Sequence, residues 1–280
     1  MKDSLLRRIW FITGASRGIG AALVQEALAA GDSVVATARN PQKIRDTFDA
    51  DPERLLALPL DVTRPEQAEV AVQAALRHFG RIDVLVNNAG FCLLGRFEEA
   101  SSQQIEMQFA TNVFGMANVL RAVLPVMRKQ AQGRILNTSS IAGVKAVANA
   151  TFYSASKYAV EGMTLALADE VAPLGIQVTA IEPGFFRTEF LNDRSAQYGE
   201  TRIDDYQPYG HARELLAAAD GQQQGDPAKL AEVIVRVVDL DKQPRQLLIG
   251  NDAIDFVMPS LEARIQETHQ FASLTASTDY

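Results

Sequence analysis

The chain is poor in cysteine and histidine and has no excess of basic residues. Its single cysteine, Cys92, excludes an internal disulfide and fits a reducing cytoplasm. The three histidines, at 78, 211 and 269, are scattered without metal-ligand spacing, so no metal is expected. A formal net charge of -7 and a pI of about 5.1 exclude the basic footprint of a nucleic-acid binder and read as ordinary solubility. The opening "MKDSLLRRIWFITGAS" holds a short apolar run but not the layout of a signal peptide. No window reaches the roughly 18 consecutive apolar residues of a membrane span. A soluble cytoplasmic protein is expected, with no nucleic-acid or membrane partner. No internal repeat and no linker divides the 280 residues, a length that affords a sizeable core.

What is present is a regular alternation. Apolar runs of strand length lie at 8–13, 33–38, 54–60, 82–87, 133–139, 176–181 and 246–250. Their continuous apolar character suits strands buried on both faces. Ala-rich helical stretches fall between them, near 19–30, 41–50, 65–79, 103–130, 152–172 and 227–239. Asn40-Pro41 and Asp226-Pro227 read as N-caps followed by proline, and Thr63…Glu66 and Ser101…Gln104 fit capping boxes. The pattern predicts an α/β protein: one domain over 1–280, built on a doubly wound sheet of about seven parallel strands with helices on both faces. The polar, Tyr-containing stretch 184–225 breaks the rhythm. An insertion of that length after the sixth strand is expected to hang over the carboxyl edge of the sheet as a substrate loop or lid.

"TGASRGIG", residues 13–20, follows the first strand and opens the first helix. Glycines at 14, 18 and 20 permit a tight turn and close approach to a pyrophosphate, and the helix N-terminus adds amides and partial positive charge. In this strand–turn–helix context the loop predicts dinucleotide binding. The acidic position that NAD enzymes use at the end of the second strand is Ala38, and Arg39 follows. A guanidinium can grip a 2′-phosphate, and Arg17 could add a second charge, so NADP(H) is favoured over NAD(H). The plainer alternative is that both arginines are solvated surface residues.

Tyr153 and Lys157 stand four residues apart in "YSASK", on one face of a helix. Six tyrosines and seven lysines placed at random in this chain would give roughly 0.15 such pairs. An ammonium beside a phenol stabilises the phenolate and lowers its pKa from about 10, so the pair could move a proton near neutral pH.

The glycine loop with its G-x-x-x-G-x-G spacing, "NNAG" at 87–90, "NTSS" at 137–140, "YSASK" at 153–157 and "PGFFRT" at 183–188 together resemble the classical short-chain dehydrogenase/reductases, in the family's order and over roughly 10–190. The tail is similar, less specifically, to the 17β-hydroxysteroid-dehydrogenase-like branch. The resemblance implies a Rossmann-type fold and reversible hydride transfer between NADP(H) and a carbonyl or secondary alcohol, with Tyr153 as general acid/base. It implies that Ser140, thirteen residues before Tyr153, bonds the substrate carbonyl; Ser139 is its rival, since a one-residue slip points the other way. Asn112, in "ATNVFG", matches the family's fourth catalytic residue, which helps hold a water near Lys157; its alternative is a polar helix–helix contact. The implied cofactor contacts are Gly14, Ser16, Arg17, Gly18, Ile19, Gly20, Arg39, Asp61, Val62, Asn87, Ala89, Gly90, Tyr153, Lys157, Pro183, Gly184 and Thr188. Asp61 could instead serve only its own loop, and Phe185 and Phe186 could cover the nicotinamide or simply pack. A homodimer or homotetramer through the helices at 103–130 and 152–172 is the family's habit.

Other stretches stay open at this level. Cys92 reads as a small buried hydrophobe rather than a nucleophile. "RELLAAA", 213–219, is a lid helix or a surface helix. "LEARIQETHQF", 261–271, reads as an amphipathic terminal helix followed by a frayed end. A non-catalytic NADP(H)-binding protein is the alternative function, but it would have no need to keep Ser140, Tyr153 and Lys157 together. An epimerase or dehydratase on a related fold is disfavoured by chain length and by the glycine spacing.

Overall fold

The seven apolar segments become seven strands of one wholly parallel sheet. In the structure, a computed structural model, the described residues are 7–192, 195–210, 213–214 and 221–279. The main-sheet strands are β1 (Ile9–Thr13), β2 (Ser33–Ala38), β3 (Leu55–Pro59), β4 (Val84–Asn87), β6 (Gly133–Thr138), β7 (Ile176–Pro183) and β9 (Gln246–Ile249). They lie in the order β3-β2-β1-β4-β6-β7-β9, each pair parallel. The chain runs outward from β1 to β3, then returns past its start to β4. The crevice where the order reverses, at the carboxyl ends of β1 and β4, is where ligands bind in such sheets.

Alternation along the strands feeds two cores. Phe11, Leu85 and Ile135 point to one face, which is covered by α3 (Pro65–Phe79), α5 (Met116–Gln130) and α6 (Thr151–Val171). Trp10, Ile12, Val84 and Leu136 point to the other, against α1 (Gly18–Ala29) and α7 (Pro227–Val238). Both faces are dry, which is why the strands read as continuous apolar runs rather than as alternating ones.

Local chemistry sets the helix ends. Asp226 accepts the Ala228 amide at 2.8 Å, and Asn40 accepts the Gln42 amide at 3.0 Å ahead of α2 (Gln42–Thr47). The Ser101–Gln104 box is formed in both directions at the start of α4 (Ser102–Phe109). The Thr63–Glu66 box is not: α3 begins one residue later than that box requires, and the Thr63 hydroxyl instead donates to Asp61 at 2.7 Å. Between α4 and α5 the helix widens into a π-turn at Ala110–Gly115, a form concentrated at functional sites. The rod Ser102–Gln130 is long and apolar enough by composition to cross a membrane, but it packs along the core against α3, β4 and β6.

The stretch after β7 contributes a small strand, β8 (Ala196–Tyr198), which pairs in parallel with β5 (Cys92–Leu94) as a separate two-stranded sheet. Three-residue strands lie below the reach of sequence periodicity. Of the expected 213–219 helix only Arg213 and Glu214 fall within the described residues. The terminal helix is longer than expected: α8 spans Asn251–Gln270, with Pro259 inside it, and α9 (Ala272–Ala276) continues into residues expected to fray. Ala253 and Val257, buried against Ile141, anchor the first turns of α8.

Candidate active site

The site is assembled at the carboxyl ends of β1, β4, β6 and β7. Gly14 (φ +65°) and Gly18 (φ +54°) sit in the left-handed region, where a side chain is strained. A Cβ on Gly20 would run into the main-chain oxygen of Gly14, so α1 can approach the turn only without one. The loop is clamped from β4: Asn88 donates to the carbonyls of Thr13 (3.1 Å) and Gly14 (3.2 Å). In return, the Thr13 hydroxyl accepts the amides of Asn88 and Ala89 at 3.0 Å each. Arg17, at the N-cap of α1, gives no side-chain cap, and no acid stands in the first turn. The positive end of the helix is therefore left to an outside anion.

Other expected cofactor contacts surround this loop. Thr188, on the turn after β7, lies beside Gly18, 3.5 Å from where a Cβ there would stand. Its hydroxyl accepts the Phe190 amide at 3.2 Å. Gly184, after Pro183, abuts the Asp252 carboxylate, which also accepts the Phe185 amide at 2.6 Å. Phe186 packs into the α1–α7 core whereas Phe185 is exposed, so the two phenylalanines have different surroundings. Arg39 is exposed at the end of β2 beside buried Ala38. Asp61 uses its carboxylate on the Thr63 amide and hydroxyl, and Val62 is buried against Gly115 of the π-turn. Asn87 faces away from the loop and donates to Asn137 at 2.9 Å, tying β4 to β6, while its own Oδ1 is buried without a partner. Gly90 lies against the Asn112 amide.

Glycines in turn geometry, an open helix N-terminus and a clamp from β4 fit a dinucleotide pyrophosphate. A surface hollow of about 560 Å³ is lined by Gln25, Phe48 and Arg54 at the far end of α1 and lies away from this edge. A second hollow of about 370 Å³, at Arg187, Thr188 and Asn192, adjoins the edge.

Ser140, Tyr153 and Lys157 meet beside the loop. Ser139 and Ser140 leave β6 in opposite directions: Ser140 reaches the Tyr153 phenol, and Ser139 turns toward Glu161. The Ser140 hydroxyl also accepts the Ala142 amide at 3.1 Å, which fixes its rotamer. Lys157 Nζ donates to the Thr138 carbonyl at 2.7 Å and lies 5.7 Å from the centre of the Tyr153 ring. Burial dominates the electrostatics. It brings Lys157 down to about 8, opposed by Glu161 and the Cys92 thiol. It raises Tyr153 above the ordinary phenol value, opposed by the Ser140 bond. The expected lowering of Tyr153 is thus not what this geometry produces, because the ammonium is aimed at a carbonyl and desolvation of the phenolate outweighs it.

Asn112 is buried in the π-turn. Its amide donates to the Phe91 carbonyl (3.0 Å) and the Ser156 hydroxyl (3.2 Å) and accepts the Phe91 amide. The side chain thus joins α6 to the loop after β4, close to the helix–helix contact weighed above. Cys92 is buried and its thiol is raised to about 12 by desolvation, which makes it an inert hydrophobe. With Leu94, Val147, Ala150, Phe190 and Ala196 it forms an apolar patch against Tyr153.

The family profile described as short chain dehydrogenase matches residues 8–199. The chain belongs to the short-chain dehydrogenase family. A short-chain dehydrogenase from Streptomyces avermitilis superposes with a TM-score of 0.89 at 38% identity, covering 98% of this chain and 100% of that one. A 3-ketodihydrosphingosine reductase of Bacteroides thetaiotaomicron is 37% identical over 244 residues, 87% of this chain and 88% of its own length. The structure of ElxO with NADP bound gives a TM-score of 0.74 at 28% identity, covering 89% of this chain and 100% of that one. As a short-chain dehydrogenase the protein is an oxidoreductase of small molecules, and solved relatives carry NAD or NADP.

Two sets of residues at this site escaped the sequence reading. Thr13 and Asn88 hold the glycine loop. The signal was there in "NNAG", where adjacent asparagines on a strand must face opposite sides. Glu161 and Glu182 lie buried, with the Glu161 charge acting on Lys157, and a glutamate one turn after Lys157 could have flagged the first of them.

Proposed function

We propose that this short-chain dehydrogenase moves a hydride between NADP(H) and a carbonyl or secondary alcohol, with Tyr153 Oη giving and taking the proton. The supporting observation is that the Ser140 hydroxyl reaches the Tyr153 phenol while Lys157 Nζ lies 5.7 Å from the centre of its ring, beside a glycine loop fit for a dinucleotide. Bound there, a nicotinamide supplies or accepts the hydride. Ser140 donates to the substrate oxygen and stabilises its developing charge. Tyr153 Oη donates its proton to that oxygen in reduction and takes it back in oxidation. Lys157, held on the Thr138 carbonyl, keeps positive charge beside the phenol, and Asn112 fixes the neighbouring loop. Gly14, Ser16, Gly18, Ile19 and Gly20 would hold the pyrophosphate, and Arg17 and Arg39 would hold the 2′-phosphate.

The apolar patch of Cys92, Leu94, Val147, Phe190 and Ala196 supports a substrate with an apolar body. The 3-ketodihydrosphingosine reductase among the relatives makes long-chain ketones the first compounds to try. The stretch 184–225 is the proposed determinant of substrate choice, and the cytoplasm the proposed location. Exposed Met107, Phe114 and Tyr158 on α4, the π-turn and α6 support self-association through those helices.

Titration with NADPH and NADH, followed by cofactor fluorescence and repeated on Arg39→Ala, tests the cofactor assignment. Tighter NADPH binding that is lost in the variant is the expected result. Equal or tighter NADH binding contradicts it.

A further inference from the structure

Glu161 and Glu182 are buried, at 6% and 3% exposure, and the Glu161 charge acts on Lys157. Glu161 stands one helical turn after Lys157 on α6, and Glu182 is the penultimate residue of β7. Strand register brings them together. The Ser139 amide donates to the Ile181 carbonyl at 2.7 Å, which sets the Ser139 side chain on the same face as Glu182. Gln246, on β9, donates to Glu161 Oε2 at 3.1 Å. The two carboxyls act on each other, and the Ser139 hydroxyl, buried without a partner of its own, lies near Glu161.

The groups facing this pair are few. They are Lys157 on α6, Ser139 just after β6 and Gln246 on β9, and Lys157 is the one cation acting on Glu161 among the described residues. On flanking segments, Lys145 donates to the Phe256 carbonyl and Asp252 accepts the Phe185 amide. Glu161 Oε1 and Glu182 Oε1 are both closed to solvent and meet no donor. Two carboxylates cannot share such a site without a large repulsion, and one proton between them removes it by providing the missing donor.

We propose that Glu161 and Glu182 hold one proton between them at neutral pH, carried on Glu182, and that the single charge left on Glu161 keeps Lys157 an ammonium. They are positioning residues that act through Lys157, and this role rests on the reading of Tyr153 and Lys157 given above. The assignment of the proton follows from the surroundings: Glu161 accepts from Gln246 and faces the Lys157 charge, whereas burial and the Glu161 charge raise Glu182 to about 8. A carboxyl whose pKa is raised in the fold binds its proton more tightly there than in the unfolded chain, and so favours the folded state at low pH. That contribution is complete near the unfolded value and is lost as pH rises toward 8.

The test compares Tm against pH, from 5 to 8, for the wild type and Glu182→Gln, with the pH profile of turnover measured alongside. The wild-type Tm is expected to fall across this window relative to the variant, whose amide cannot ionise. In Glu161→Gln the alkaline limb of kcat/KM moves to lower pH by roughly half a unit or more, because the Glu161 charge no longer opposes the burial of Lys157, and Glu182→Gln moves it less. Parallel Tm curves, or equal displacement of the limb by both variants, overturn the proposal. If Glu182→Gln does not fold, the infrared band of a protonated carboxyl in the wild type reads the same proton. Its presence at pH 7 and loss by about pH 10 support the proposal, and its absence at pH 7 overturns it. The Tm and infrared readings stand even if no carbonyl is turned over, an outcome that would defeat the functional reading alone.

Discussion

Lys157 donates to the main-chain carbonyl of Thr138 at 2.7 Å, so the helix that carries the phenol is pinned to the strand that delivers Ser140. The same lysine is buried at a cost. Its pKa in the fold is about 8, below the unfolded value, so the folded state binds fewer protons between pH 8 and 10.5 and stability rises with pH there. Below pH 8 the full cost of burying the ammonium is present. Lys157→Met should therefore abolish turnover yet raise stability at pH 7, by on the order of 1–3 kcal/mol less the lost Thr138 bond and the lost pairing with Glu161. Thermal melts of the two proteins at pH 7 and pH 10 check this, with the difference shrinking at the higher pH.

Gly20→Ala places a methyl group against the Gly14 carbonyl, which is main chain and cannot step aside. The expected result is a displaced glycine loop, a stability loss of about 1–3 kcal/mol and at least tenfold weaker cofactor binding. Fluorescence titration and a denaturant melt measure the two effects separately.

Much of this site was legible because its signals are local. The glycine loop, the Tyr153–Lys157 spacing and the seven strands follow from periodicities of a few residues. What escaped needed tertiary distance. The Thr13–Asn88 clamp joins residues 75 apart, and the Glu161–Gln246 contact joins residues 85 apart. The direction of the Tyr153 shift was misjudged for a related reason: the i to i+4 spacing shows that two side chains can meet, but not that the ammonium is turned to Thr138 or how completely the phenol is buried.

Ser139 and Ser140 can be told apart by function. Ser140 faces the phenol and Ser139 faces Glu161. Ser140→Ala should lower kcat by roughly 10²–10³, the usual loss for one donor to a developing oxyanion. Ser139→Ala should cost at least tenfold less and show itself in the pH profile. Steady-state kinetics of the two variants side by side provides the comparison.

Self-association through α4, the π-turn and α6 has a direct readout. Phe114→Asp, at a residue 62% exposed in the single chain, should lower the mass measured by light scattering without lowering Tm by more than a few degrees. An unchanged mass would place any subunit contact elsewhere.

The central claim is that Tyr153 moves the proton in a hydride transfer. The most direct measurement is NADPH consumption with a panel of long-chain and other apolar ketones, for wild type and Tyr153→Phe, after confirming that both bind NADPH. The account predicts turnover by the wild type and a loss of roughly 10²–10⁴ in the variant with cofactor affinity retained. Turnover by Tyr153→Phe within a few-fold of wild type would contradict it.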